Sequence, residues 1–116
     1  MTVLIVDDHP SFRASARTLL EAEGYEIVGE AENGAAALQA VKDLQPDLVL
    51  LDVQLPDMDG FQVAEQLQKL ADPPFIVLTS SRDSADYGRC IDVCGACGFV
   101  PKGELSGAAI AALLIA

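Results

Sequence analysis

The chain has 116 residues, 51% of them hydrophobic and 5% aromatic, which fits one domain around a single aliphatic core and excludes two. Its formal charge of -11 repels nucleic acid and anionic membrane, so any DNA contact is expected from a different domain. No apolar stretch approaches the roughly 18 uninterrupted residues of a spanning helix, and Met1 to Val6 lacks the basic head and cleavage site of a signal peptide, so the chain reads as cytoplasmic.

Thr2 to Val6 is an apolar, β-branched run that predicts a first buried strand, stopping at the adjacent acids Asp7 and Asp8. Pro10 and Ser11 open a helix in which Phe12, Ala16, Leu19, Leu20 and Ala22 recur at the spacing of one helical face, and Gly24 ends it. Tyr25 to Ala31 predicts a second strand. Asn33-Gly34 turns the chain into a helix over Ala35 to Leu44, closed by Pro46.

Leu48 to Gly60, Leu-Val-Leu-Leu-Asp-Val-Gln-Leu-Pro-Asp-Met-Asp-Gly, is the stretch around which the rest is arranged. Val49, Leu50 and Leu51 show neither helical period nor alternation, as expected of a central strand covered on both faces, and the run delivers one carboxylate, Asp52, to its end. Val63, Ala64, Leu67 and Leu70 mark a third helix, broken by Asp72-Pro73-Pro74. Phe75 to Leu78 is a fourth strand, ending in Thr79-Ser80-Ser81, so hydroxyls stand where earlier strands left acids. Ser84 to Cys94 predicts a weaker fourth helix, Phe99-Val100 a brief fifth strand followed by Pro101-Lys102-Gly103, and Ser106 to Ala116 a last helix. Cys90, Cys94 and Cys97 form C-x3-C-x2-C; their odd number and distance from the single histidine, His9, favour plain buried thiols over a disulfide set or a zinc site.

Five βα units with short connections predict an α/β fold: a doubly wound, parallel five-stranded sheet of flavodoxin-like (βα)5 type, with strand order 2-1-3-4-5. Its switch point lies between strands one and three, which puts Asp7, Asp8 and Asp52 in one crevice at the carboxyl ends of the strands. Three carboxylates there repel one another unless a cation joins them, and oxygen donors suit Mg2+. Asp52 could then attack phosphorus and form an acyl phosphate, with Mg2+ and Lys102 neutralising the transferring oxygens and Thr79 donating its hydroxyl.

These residues carry a resemblance over essentially the whole chain, 1-116. The opening Val-Leu-Ile-Val-Asp-Asp-His-Pro, the Asp52 to Gly60 stretch, Leu78-Thr79-Ser80, Gly95-Ala96 and Phe99-Val100-Pro101-Lys102 resemble a response-regulator receiver domain of CheY-like type. The resemblance implies that Asp52 is the phosphoacceptor for a sensor histidine kinase, and that Asp7, Asp8, Asp52 and the Gln54 backbone carbonyl bind Mg2+. It also implies that Thr79 and Phe99 act as switch residues that remodel the surface of the fourth helix, fifth strand and fifth helix. Such a domain phosphorylates and dephosphorylates itself rather than turning over substrate as a conventional enzyme. Counting back from Lys102 by the common family spacing lands on Ser80, while the strand pattern favours Thr79. Lys102 is followed by Gly103, where the family often has a proline.

Asp-Asp-His-Pro with Phe12-Arg13 resembles the NarL/FixJ subfamily, whose members usually carry a LuxR-type DNA-binding effector domain. That implies transcription regulation through a domain not in this chain, and a homodimer as one candidate assembly. The abrupt apolar end reads as a receiver cut from a longer protein rather than a single-domain regulator. The alternative is a phosphorylation-independent receiver-like module for dimerisation or interaction. A flavodoxin-like enzyme or nucleotide binder is disfavoured, because the first strand ends in two acids with no glycine-rich phosphate loop.

Overall fold

A computed structural model of the chain describes residues 1–81 and 96–114. Its elements run β1 (Thr2–Val6), α1 (Pro10–Ala22), β2 (Glu26–Ala31), α2 (Gly34–Leu44), β3 (Leu48–Asp52), α3 (Gly60–Gln68), β4 (Phe75–Ser80) and β5 (Gly98–Pro101). A 3-10 turn (Lys102–Glu104) and α4 (Gly107–Leu114) follow. All strand pairings are parallel, and the sheet order is β2-β1-β3-β4-β5, the order expected. The expected Ser84 to Cys94 helix, with Cys90 and Cys94, lies outside the described residues.

The unpatterned apolar runs have a direct cause. In β1, β3 and β4 successive side chains point to opposite faces, and both faces are covered. Leu4, Val6, Val49, Leu51, Ile76 and Leu78 pack on one side with Ala37 and Val41 of α2 and Val63, Ala64 and Leu67 of α3. Val3, Ile5, Leu48, Leu50, Val77 and Val100 pack on the other with Ala16 and Leu20 of α1 and Ile110 of α4. Every residue of β3 is buried, Asp52 included.

Local chemistry fixes the ends of the elements. Asn33 caps α2 by accepting from the Ala36 N–H at 2.7 Å. Gln45 then turns the chain out in a left-handed conformation, φ 48°, before Pro46. Asp59 and Gln62 form a reciprocal capping box at the start of α3. The hydroxyl cluster after Leu78, expected to lie past the strand, is still strand through Ser80, because both Thr79 and Ser80 are buried and paired with β5.

Candidate functional site

Four parallel strands end in register at one edge of the sheet, and their last residues bring the polar groups together. Asp7 follows β1, and its N–H extends the ladder to Ala31 O at 3.0 Å. Asp52 closes β3, Thr79 pairs with it from β4, and Lys102 leaves β5 directly after Pro101. Alternation puts Asp7, Asp52 and Thr79 on the face that also carries Ile5, Leu50 and Val77, the α1 and α4 side. Ser80 pairs with Pro101 and belongs to the opposite face.

The carboxylates are unequally placed. Asp7 is wholly buried and Asp52 is 3% exposed, whereas the Asp8 side chain meets solvent. Lys102 Nζ lies 2.6 Å from Asp7 Oδ2 and 3.6 Å from Asp52 Oδ2, so one cation serves two buried acids. Burial pushes the Asp52 carboxyl up from 3.8 to about 6, and the neighbouring Asp7 charge adds to the rise. Lys102 and the Gln54 N–H, which donates to Asp52 Oδ1 at 3.3 Å, pull it down without overcoming burial. The Thr79 hydroxyl is buried and has no hydrogen-bond partner among the described residues, an arrangement that costs free energy unless a ligand completes it.

The loop after β3 is clamped against the strand end. The Gly60 N–H donates to Val53 O at 2.7 Å, and a Cβ on Gly60 would stand 2.4 Å from Asp52 O, so only glycine allows this approach. Asp57 reaches across to α2, where its two carboxylate oxygens accept from the Gly34 and Ala35 N–H groups at 2.8 and 2.9 Å. Those bonds hold its carboxyl below the ordinary value.

Of the residues expected at the site, Asp7, Asp8, Asp52 and Lys102 are brought together, Thr79 stands beside Asp52, and Gln54 touches Asp52 through its N–H. Phe99 is half-buried on the opposite face of the sheet, against the cluster of α2 and α3. Cys97 is exposed and not in a disulfide. Three neighbours were not anticipated. His9 Nδ1 lies 3.0 Å from both Asp7 Oδ1 and Asp8 Oδ1. The Phe12 ring, read in the sequence as part of the apolar face of α1 and of the subfamily resemblance, has its centroid 4.6 Å from Lys102 Nζ. The Arg13 guanidinium donates to the Asp7 carbonyl and, through Nε, to Glu30 Oε1 at 3.0 Å, tying α1 and β2 to the end of β1.

Ligand atoms of Asp7, Asp8, His9 and Asp52 all lie within 4.8 Å of one another. Three acids face one lysine, and burial together with the neighbouring acid charges holds Asp52 high, so the donor set fits a divalent cation. The same edge offers a carboxylate, an ammonium group and a hydroxyl unpaired among the described residues, the kinds of group that can receive a phosphoryl group.

Comparison with known proteins identifies the family. The chain is 44% identical over 103 residues to the Bordetella pertussis virulence-factor transcription regulator BvgA, covering 88% of this chain and 49% of that protein. It is 40% identical over 114 residues to the DNA-binding transcriptional activator EvgA of Escherichia coli K12, covering 97% and 55%. The chain thus spans about half the length of the curated relatives it matches. Among solved structures, the signal receiver domain of NarL from Mycobacterium tuberculosis superposes with a TM-score of 0.84 at 36% identity, covering 97% of this chain and 95% of that one. A LuxR-family response regulator from Aurantimonas superposes with a TM-score of 0.86 at 27% identity, covering 97% and 84%. No described helix is long and apolar enough to cross a membrane. A family model for the response regulator receiver domain matches residues 3–113, nearly the whole chain, and the chain belongs to that family.

Proposed function

We propose that this chain is a phosphorylation switch in which Asp52 accepts a phosphoryl group from a sensor histidine kinase. The observation that carries the reading is the buried Asp52 carboxylate with Lys102 Nζ 3.6 Å away and, on the adjoining strand, the Thr79 hydroxyl, which has no partner among the described residues. With its carboxyl near 6, Asp52 is ionised at neutral pH and keeps a nucleophilic oxygen. That oxygen forms the new bond to phosphorus as the bond from phosphorus to the kinase imidazole nitrogen breaks, the nitrogen keeping the electron pair. Lys102 neutralises charge on the transferring oxygens, and Thr79 donates its hydroxyl to one of them.

Asp7, Asp8, Asp52 and the Gln54 backbone carbonyl would hold Mg2+, which when bound supplies further positive charge to the phosphoryl oxygens. Transfer to water returns Asp52 to its free form. Thr79 and Phe99 then act as the switch: Thr79 follows the phosphoryl group, and Phe99, two strands away from Asp52, turns inward and alters the surface of β5 and the C-terminal helix. Residues 1–116 form the receiver portion of a cytoplasmic transcription regulator, controlling a LuxR-type DNA-binding domain; the names of BvgA and EvgA support the transcription role, and the LuxR-family regulator from Aurantimonas supports the type of domain.

Intact mass after incubation with acetyl phosphate and Mg2+ tests the reading. One added phosphoryl group on the parent and none on Asp52→Ala is the expected result. No gain on the parent, with Mg2+ shown to bind, would overturn it and leave the phosphorylation-independent module as the better account.

A further inference from the structure

We infer that Arg13 is a positioning residue of this site: aimed by Glu30, its guanidinium fixes the peptide between Asp7 and Asp8 and so sets where Asp8 presents its carboxylate to a cation. The inference rests on the reading of Asp7, Asp8 and Asp52 as a cation site and adds to it a residue that holds no ion itself.

The backbone just past β1 is held by side chains. Pairing of β1 with β3 stops at Val6 and Leu51, and beyond it the Asp7 N–H bonds Ala31 O of β2 at 3.0 Å. The Asp7 carbonyl, past the last rung with β3, accepts instead from the Arg13 guanidinium. One residue further on, the His9 N–H donates to Asp7 Oδ1 at 2.8 Å. Asp8 therefore hangs between two fixed peptides, the one before it held through the Asp7 carbonyl and the one after it through the His9 N–H. Its side chain is 36% exposed and touches only the more exposed His9 ring, so the backbone, not packing, aims its carboxylate.

Arg13 can hold that peptide because it is itself held. Its Nε donates to Glu30 Oε1 at 3.0 Å, and Arg17, one turn on in α1, donates from Nε to Glu30 Oε2 at 2.9 Å. With one arginine on each oxygen, Glu30 is kept from swinging away. The guanidinium is a planar fork, so fixing Nε on Glu30 also fixes the direction in which the nitrogen at its tip meets the Asp7 carbonyl. Arg13 is the more enclosed of the two arginines, 15% exposed against 36% for Arg17. Pairing with Glu30 also offsets its charge, so Arg13 acts on a cation through geometry more than through repulsion.

The test titrates Mg2+ into the parent, Arg13→Gln, Glu30→Ala and the double variant, with the Asp7 carbonyl 13C resonance followed in EDTA. Positioning and charge predict different signs. If Arg13 acted as a charge, removing it would tighten Mg2+ binding, removing Glu30 would weaken it, and the double variant would return toward the parent. The expected result is that both single variants bind Mg2+ more weakly, Arg13→Gln by about tenfold, and that the double variant matches Arg13→Gln because Glu30 acts through Arg13. The Asp7 carbonyl resonance should move upfield in Arg13→Gln without any metal. Should that variant fail to fold, Arg13→Lys replaces it: it keeps the charge but has one nitrogen for two acceptors, and should lose Mg2+ affinity likewise. Unchanged or tighter Mg2+ binding in the Arg13 variants, or an unmoved Asp7 resonance, would overturn the role of Arg13 and leave the cation site standing. Failure of the parent to bind Mg2+ would remove the cation site itself, and Arg13's role with it.

Discussion

Replacing Asp52 with asparagine should stabilise the protein in the absence of divalent cation, and by an amount that depends on pH. Burial, reinforced by the Asp7 charge, raises the Asp52 carboxyl from 3.8 to about 6. Between those values the native state holds more protons than the unfolded chain, so stability falls as pH rises through that window. The favourable contribution is complete below 3.8 and lost above 6. A rise of about two units corresponds to about 3 kcal/mol at pH 7.5, about 1 kcal/mol at pH 4.5 and almost nothing at pH 3.5. Asparagine keeps an oxygen for the Gln54 N–H but adds an NH2 group, whose incomplete pairing subtracts about 1 kcal/mol.

The expected net gain for Asp52→Asn is therefore about 2 kcal/mol at pH 7.5, or about 8 °C in Tm for a domain of this size, falling to about zero at pH 4.5. Urea or thermal unfolding in EDTA at the two pH values measures it. Adding Mg2+ should raise the stability of the parent by more than that of the variant, since a ligand stabilises only the state that binds it. The same gain at both pH values, or a loss at pH 7.5, would refute the reasoning, because the effect would then come from shape or a broken Lys102 pair rather than from a buried charge.

Phe12→Leu retains apolar packing on α1 but removes the ring face beside Lys102. A loss of about 0.5 to 1 kcal/mol in lysine positioning predicts a two- to fivefold slower gain of phosphoryl mass on Asp52, with Phe12→Tyr restoring the rate. Gly60→Ala places a Cβ against the Asp52 carbonyl and Val53 Cα, both backbone, and should cost about 1 to 3 kcal/mol in urea unfolding. Asp57→Ala removes both acceptors at the first turn of α2; the Gly34 and Ala35 amides should exchange hydrogen faster while the β3 amides keep their protection.

The sheet was legible because its pattern follows from burial on both faces. Runs such as Val49-Leu50-Leu51 have no alternation to read, yet their length and the Pro and Gly residues after them mark strands, and the alternation of units makes the sheet parallel, for which 2-1-3-4-5 is a common order. Strand order alone then predicts that Asp7, Asp52 and Lys102 meet. The hydroxyls were harder. A count from Lys102 favours Ser80 and the strand pattern favours Thr79; in the structure Thr79 pairs with Asp52 and Ser80 with Pro101, a register that neither count encodes. The His9 ring on two carboxylates, the Phe12 ring near Lys102 and the Asp57 cap on α2 were not legible. Each depends on where a side chain points from a turn or helix end, which periodicity does not encode; Asp57 and α2 are joined across 23 residues.

The cost of the site explains why it sits on the sheet rather than on a loop. A carboxylate raised to about 6, a buried hydroxyl without a partner among the described residues and two acids sharing one ammonium group all favour collapse or solvation of the edge. The strands resist that collapse because their own ladder continues through the site: Val53 N–H donates to Thr79 O at 2.9 Å, and Thr79 pairs onward with Val100. The same ladder makes the edge responsive. A ligand that satisfies Asp52 and the Thr79 hydroxyl acts on the end of β4, whose neighbour β5 carries Phe99 on one face and is followed directly by Lys102. Relief of the local charge and hydrogen-bond deficit is thus applied one strand from the surface that would have to change, and removing the deficit, as in Asp52→Asn, should quiet the switch while strengthening the fold.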